Sequence, residues 1–245
     1  MCYHISQTKS LSELEEIYNV RRSNIFAIGK HAIHGLYLDG FKHPELAILT
    51  QEKPKELYPA KWGLIPKNII AAMQKKYYLK IKGDSLNAKS ENIFDYPLYS
   101  NSIYTKRCII PITGFIGLHH LNNEIYPHFI ERYDQSTISI AGIYSVSDNT
   151  VSFTMLTKNA NSFMARIHNK AQRQLVMLDG SFEKDWLSKN LNDKQIMEII
   201  NSNYNDNELK SYTISKKIFE PKHTAKNRET VLKPVIYSEL ENQLF

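Results

Sequence analysis

Six runs rich in β-branched and aromatic residues constrain this chain most: 46–50, 107–112, 126–131, 137–144, 151–157 and 174–178. Such residues suit a pleated, half-buried surface, so each run reads as a strand. Four of the six crowd into 107–157 instead of alternating with helices, which predicts a mixed α+β fold and not a doubly wound parallel sheet. Helical patterns flank them. Ser12 followed by Glu15 forms a capping-box pattern, with Leu14, Ile17 and Tyr18 at helical spacing, and predicts a helix within 12–22. Apolar residues return every three or four positions over 68–80, 161–167 and 182–201. No repeat or Pro/Gly-rich linker divides the 245 residues, of which 42% are hydrophobic, so one domain spanning 1–245 is expected. The asparagine-rich stretch 201–207 reads as a polar loop.

Composition excludes several classes. Residues 1–10 contain no apolar run of signal-peptide length, and no later segment approaches the roughly 20 apolar residues of a membrane span. The two cysteines, Cys2 and Cys108, are too few for a disulfide scaffold and point to a reducing, cytoplasmic setting. A net charge of +6 favours an anionic partner, although a solvated lysine-rich surface accounts for it equally well. Cys2 and His4 lie close together, but no second ligand pair has zinc spacing, so no metal and no cofactor is expected.

Position two carries distinctive chemistry. Removal of Met1 would leave Cys2 with a free α-amine and a thiol on adjacent carbons, a 1,2-aminothiol. The amine condenses with an aldehyde to an imine, and the thiol then closes a five-membered thiazolidine. Both groups titrate near neutrality in model compounds, at about 7.7–8.0 and about 8.5. Taken alone, a cysteine at this position reads better as an accident of sequence.

Six further segments follow in order. They are Met1-Cys2-Tyr3-His4, Gly40-Phe41-Lys42-His43-Pro44, Trp62-Gly63-Leu64-Ile65-Pro66, Asn87-Ala88-Lys89-Ser90-Glu91, Arg107-Cys108-Ile109-Ile110-Pro111 running into Gly114-Phe115, and Leu156-Thr157 followed by Ala160-Asn161 and Ile167-His168-Asn169. Together, over 1–178, they resemble the SOS-response-associated peptidase (SRAP) family. The resemblance implies a single domain with a β-rich, barrel-like core and flanking helices. It also implies a role in the DNA damage response: covalent capture, through Cys2, of abasic sites in single-stranded DNA. His168 would assist opening of the abasic sugar, and Asn87, which has no titratable proton, would fix the geometry of attack by hydrogen bonding. Trp62, Lys89, Arg107, Thr157, Lys170 and Arg173 are the candidate DNA contacts, pairing cations for phosphates with a ring for bases. Trp62 reads equally well as core, and Phe115 reads better as core. A monomer that joins the nucleoid when bound to DNA is expected.

Three departures accompany the resemblance. The glutamate of the family's Gly-Phe-x-Glu-Trp segment falls on Gly117, which cannot transfer a proton; His119 and His120 follow directly and read as exposed turn residues or as substitutes. Lys89 replaces an arginine and loses its planar fork. Arg173-Gln174-Leu175 replaces Arg-Met-Pro. Two alternatives therefore stand beside the crosslinking reading: a pseudoenzyme that only binds damaged single strands, and an amidohydrolase with Cys2 as N-terminal nucleophile.

Overall fold

Continuous apolar runs bury both faces of a strand, and that governs the architecture here. The computed structural model describes residues 2–28, 31, 33–220 and 229–240. Its strands are β1 (His4–Gln7), β2 (Arg21–Arg22), β3 (Gly35–Asp39), β4 (Glu45–Thr50), β5 (Glu56–Trp62), β6 (Asn87–Lys89), β7 (Arg107–Ile112), β8 (Gly114–Leu121), β9 (Glu124–Arg132), β10 (Ile138–Ser147), β11 (Thr150–Asn159), β12 (Arg173–Leu175), β13 (Met177–Leu178) and β14 (Leu209–Thr213). Helices α1 (Leu11–Tyr18), α2 (Ala71–Ile81), α3 (Ser102–Thr105), α4 (Ser162–Ile167), α5 (Gly180–Trp186) and α6 (Asp193–Asn201) complete a mixed α+β fold.

The larger sheet closes on itself. Its order runs β11-β10-β7-β4-β5, and β5 returns to β11 in parallel, with Lys61 and Trp62 opposite Ser152 and Phe153, to form a five-stranded barrel. Neighbouring residues then point to opposite sides, as the pleat requires. Ile48, Ile110 and Ile140 join the core that also holds Cys2, Trp62 and Phe153, whereas Leu49, Ile109 and Ala141 join a second core with Leu14, Trp186 and Ile196 under the helices. The second sheet, ordered β14-β9-β8-β1-β3, adds Ile5, Phe115 and Ile130 to the first core. Among the described residues, no helix is long and apolar enough to cross a membrane.

The helix expected within 12–22 starts earlier. Ser10, not Ser12, caps α1: its side chain accepts from Glu13 N while the Glu13 side chain accepts from Ser10 N, and Asn19 ends the helix at φ 49°. The pattern over 182–201 is two helices, because Asn192 makes its own capping box with Gln195 and restarts the chain at α6. The run 174–178 splits at Val176, whose N–H bonds Leu156 O and whose carbonyl accepts from Ala141 N. Strands β1, β2, β3, β5, β6, β8 and β14 lie outside the six expected runs. The β8 sequence, GFIGLHHL, lacks a strand's usual composition, and it is held by tertiary pairing with β1 and β9.

Candidate functional site

Three chain segments converge on Cys2. Strand β1 begins two residues later and pairs with β8, Ile5 opposite Phe115, which leads the start of the chain to the rim of the first core. The Cys2 side chain is 1% exposed and packs in the core with Trp62, Leu86, Met164 and Ile167. Strand β6 is aligned in parallel with β11, Asn87 opposite Met155, and this brings Asn87 under the first residues. The Asn87 Nδ2 donates to Cys2 O at 3.0 Å, while its buried Oδ1 has no hydrogen-bond partner among the described residues. Helix α4, capped by Asn161, ends at His168, whose imidazole is also buried.

Electrostatics assign states to these groups. Burial pushes the Cys2 thiol up to about 11, so it is protonated at neutral pH. Burial, and then the positive amino terminus, push His168 down to about 4. His168 is therefore neutral, and its Nδ1 lies 3.0 Å from the Arg173 carbonyl, which only accepts. The ring proton sits on Nδ1 and the basic lone pair on Nε2. An acceptor of protons is thereby poised beside the start of the chain.

Ile167, next to His168 in the chain, faces a second and apolar wall. Gly117 pairs with His128 in the β8–β9 ladder, and a Cβ added there would meet Ile167 Cγ2 at 2.8 Å and Ile130 Cδ1 at 3.3 Å. Methyl groups fill the space. Two acids of the neighbouring segments are engaged in ion pairs of their own, Glu91 with Arg173 and Glu124 with Lys216 at 3.0 Å. His119 and His120 lie within β8 and not on a turn. His119 is buried and its Nδ1 bonds the Arg166 carbonyl at 2.9 Å; the backbone of His120 is gripped by Asn169, which donates to His120 O at 2.8 Å and accepts from His120 N at 2.9 Å. Asn169 thereby ties the turn carrying His168 to β8. Sequence reasoning passed over this residue, whose only signal is its place next to the histidine.

The expected DNA contacts divide by burial. Arg107 is wholly buried: Nε donates to Trp186 O at 2.8 Å, Nη1 to Ile103 O at 2.6 Å and Tyr104 O at 3.1 Å, and Nη2 to Ser188 O. It closes the ends of α3 and α5 and does not face solvent, which corrects its expected role. Trp62 is 0% exposed, donates to Leu86 O at 2.8 Å and stacks in parallel with Phe153, so it is core and no platform for bases. Gly40 serves that packing, since a Cβ there would stand 3.0 Å from the indole. Thr157 is likewise buried, its hydroxyl donating to Ala88 O at 3.3 Å and accepting from Arg173 at 3.1 Å. Arg173 itself grips Glu91 and Thr157 O, and its side chain is 11% exposed. Only Lys89 and Lys170 of that set are exposed, one beside Glu91 on β6 and the other two residues past His168.

The chain belongs to the SOS response associated peptidase (SRAP) family, whose pattern matches residues 1–221. It is 26% identical over 186 residues to the abasic site processing protein YoaM of Bacillus subtilis, covering 74% of this chain and 78% of that one. It is 21% identical to the abasic site processing protein YMR114C of Saccharomyces cerevisiae, covering 72% of this chain and 47% of that one. A crystal structure of a Bacteroides thetaiotaomicron protein superposes with a TM-score of 0.84 at 24% identity, covering 96% of this chain and all of that one. A Bordetella bronchiseptica protein superposes at 0.69 with 20% identity, over 87% of this chain and all of that one; both likenesses concern the fold.

Proposed function

We propose that the protein processes abasic sites in single-stranded DNA by covalent capture through Cys2 once Met1 has been removed. The reading is carried by the hydrogen bond from Asn87 to Cys2 O, and is supported by a neutral His168 that feels the charge of the amino terminus. The neutral α-amine adds to the aldehyde of the ring-opened sugar, and loss of water leaves an imine. The thiol then adds across the C=N bond: sulfur bonds carbon and the thiol proton ends on nitrogen, closing the thiazolidine. The proton passes from sulfur to nitrogen as the C–S bond forms, and His168 Nε2, which carries the ring's lone pair, is the proposed hydrogen-bond acceptor that guides it. Lys89 and Lys170 are placed to meet phosphates.

A binder without chemistry is the second reading, favoured by Ile167 in the space beside Gly117. An amidohydrolase is disfavoured by a buried, protonated thiol. The deciding test incubates protein of verified amino terminus with a uracil-containing single strand treated with uracil glycosylase. A denaturant-resistant adduct that Cys2→Ala abolishes is expected. Reversible binding with no adduct would instead establish the binder, and an adduct formed equally by Cys2→Ala would end the Cys2 assignment.

A further inference from the structure

Helix α2 is built unlike the other helices. It carries no acid, and Lys75, Lys76 and Lys80, with Lys82 at its C-cap, are exposed and make no ion pair with any described residue. The nearest acids do not cancel them: Asp148 caps the backbone at Ala71 N, and Asp84 lies beyond the helix. Lys76 and Lys80 stand one turn apart, an arrangement of like charges that costs a few tenths of a kcal/mol in an isolated helix. The same face exposes Met73 (44%) and Leu79 (71%), preceded by Ile70 (56%). Gln74, Tyr77 and Tyr78 hold the other face to the body: Tyr78 donates to Gly63 O at 2.7 Å and stacks on His43 at 3.5 Å.

The helix ends beside the candidate site. Lys82 and Gly83 turn the chain at positive φ, and Gly83 lies so close to Phe41 that a Cβ would stand 2.6 Å from its ring. Phe41, 49% exposed, packs on Tyr3 at 4.9 Å, and Tyr3 follows Cys2. Four residues past Gly83, Asn87 bonds Cys2 O. An unbroken path thus runs from Cys2 over Tyr3 and Phe41 to a rigidly held row of cations without ion pairs, about 10 Å long.

We propose that α2 is a docking rail for the phosphate backbone of the single strand that leaves the Cys2 pocket, with Lys75, Lys76 and Lys80 on phosphates. Met73 and Leu79 lie between the cations, where apolar side chains meet sugars and bases. Charge complementarity carries the assignment, and it rests on the DNA reading above. The rail acts at a distance from the lesion, so its contribution depends on the length of the flank and not on the chemistry at Cys2.

The test measures reversible binding by fluorescence anisotropy against salt, with the full chain and a labelled single strand bearing a tetrahydrofuran abasic analogue, which cannot crosslink. The comparison is between wild type and Lys75→Gln/Lys76→Gln/Lys80→Gln, a substitution that keeps length and helix propensity. Three lost phosphate contacts flatten the slope of log K against log salt by about 2, with affinity at low salt weakened roughly tenfold or more. A strand trimmed to three nucleotides on each side of the lesion analogue is expected to bind both proteins equally. Parallel slopes on the long strand overturn the rail, and do so without touching the DNA reading if wild type still forms its Cys2 adduct. No binding of wild type to any strand overturns both. Parallel DNA slopes together with triple-variant loss of binding to phosphatidylserine vesicles reassign the helix to a lipid surface.

Discussion

Two walls meet at the end of α4, and they differ in kind. On one side Asn87 and His168 are buried polar groups with fixed partners, Cys2 O for the amide and Arg173 O for the ring. On the other, Gly117 has no side chain, a Cβ there would meet the methyls of Ile167 and Ile130, and its cross-strand neighbour His128 is held neutral by burial. The contrast separates two tasks that one pocket usually combines. Holding the first residue and accepting a proton need only the first wall, whereas donating a proton at neutral pH needs a group the second wall lacks. A neutral imidazole with a pKa near 4 cannot supply it.

The comparison can be broken from its strong side first. His168→Gln removes the base and keeps a polar group of similar reach; the adduct rate is expected to fall about 100-fold or more, while reversible binding to the tetrahydrofuran analogue stays within a few-fold. Equal loss of both in gel and anisotropy assays would make His168 structural.

Next in size is a pH effect on stability, which engages both walls. His168 and His128, the latter opposite Gly117, are each pushed down to about 4, chiefly by burial. Folded pKa values below the unfolded value of about 6.5 mean that the unfolded chain binds more protons between the two. Stability is then complete above about pH 6.5 and is lost as pH falls from there toward 4, by about 2 kcal/mol per histidine at pH 5. Denaturant titrations of wild type and His128→Asn check the sign: the variant's curve is flatter over that window. A wild-type midpoint that rises on acidification would contradict the burial argument.

The smallest expected effect sharpens the comparison from the weak side. Gly117→Glu alone collides with Ile167, so its effect on rate is confounded by overpacking. Gly117→Glu with Ile167→Ala opens the space, and the adduct rate is expected to rise about tenfold over Ile167→Ala alone. No gain in a quantitative time course would show that the proton is supplied elsewhere.

Much of the scaffold was legible in the sequence, for a physical reason. The runs 46–50 and 107–112 are so continuously apolar that only burial on both faces accommodates them, and they became adjacent barrel strands. Helix ends were less legible, because Ser10 and Ser12 both offer a hydroxyl and only the geometry of Glu13 chose between them. The expected DNA contacts were least legible. Arg107 and Lys89 are both basic residues in matching segments, but one is enclosed by four carbonyls and the other faces solvent. No local pattern distinguishes a cation that satisfies helix carbonyls from one that awaits a phosphate.

What the residue order determined by itself was class: the main strands of a mixed α+β fold and the SRAP segments in their order. What tertiary structure alone decided was which side chains share a space. Asn87 reaches Cys2 O because β6 aligns with β11, and His168, 81 positions further on, comes within electrostatic reach of the amino terminus at the end of α4. Ile167 fills the space beside Gly117, and α2 is left with bare lysines beside the pocket, because close packing is a property of three-dimensional neighbours and not of sequence neighbours.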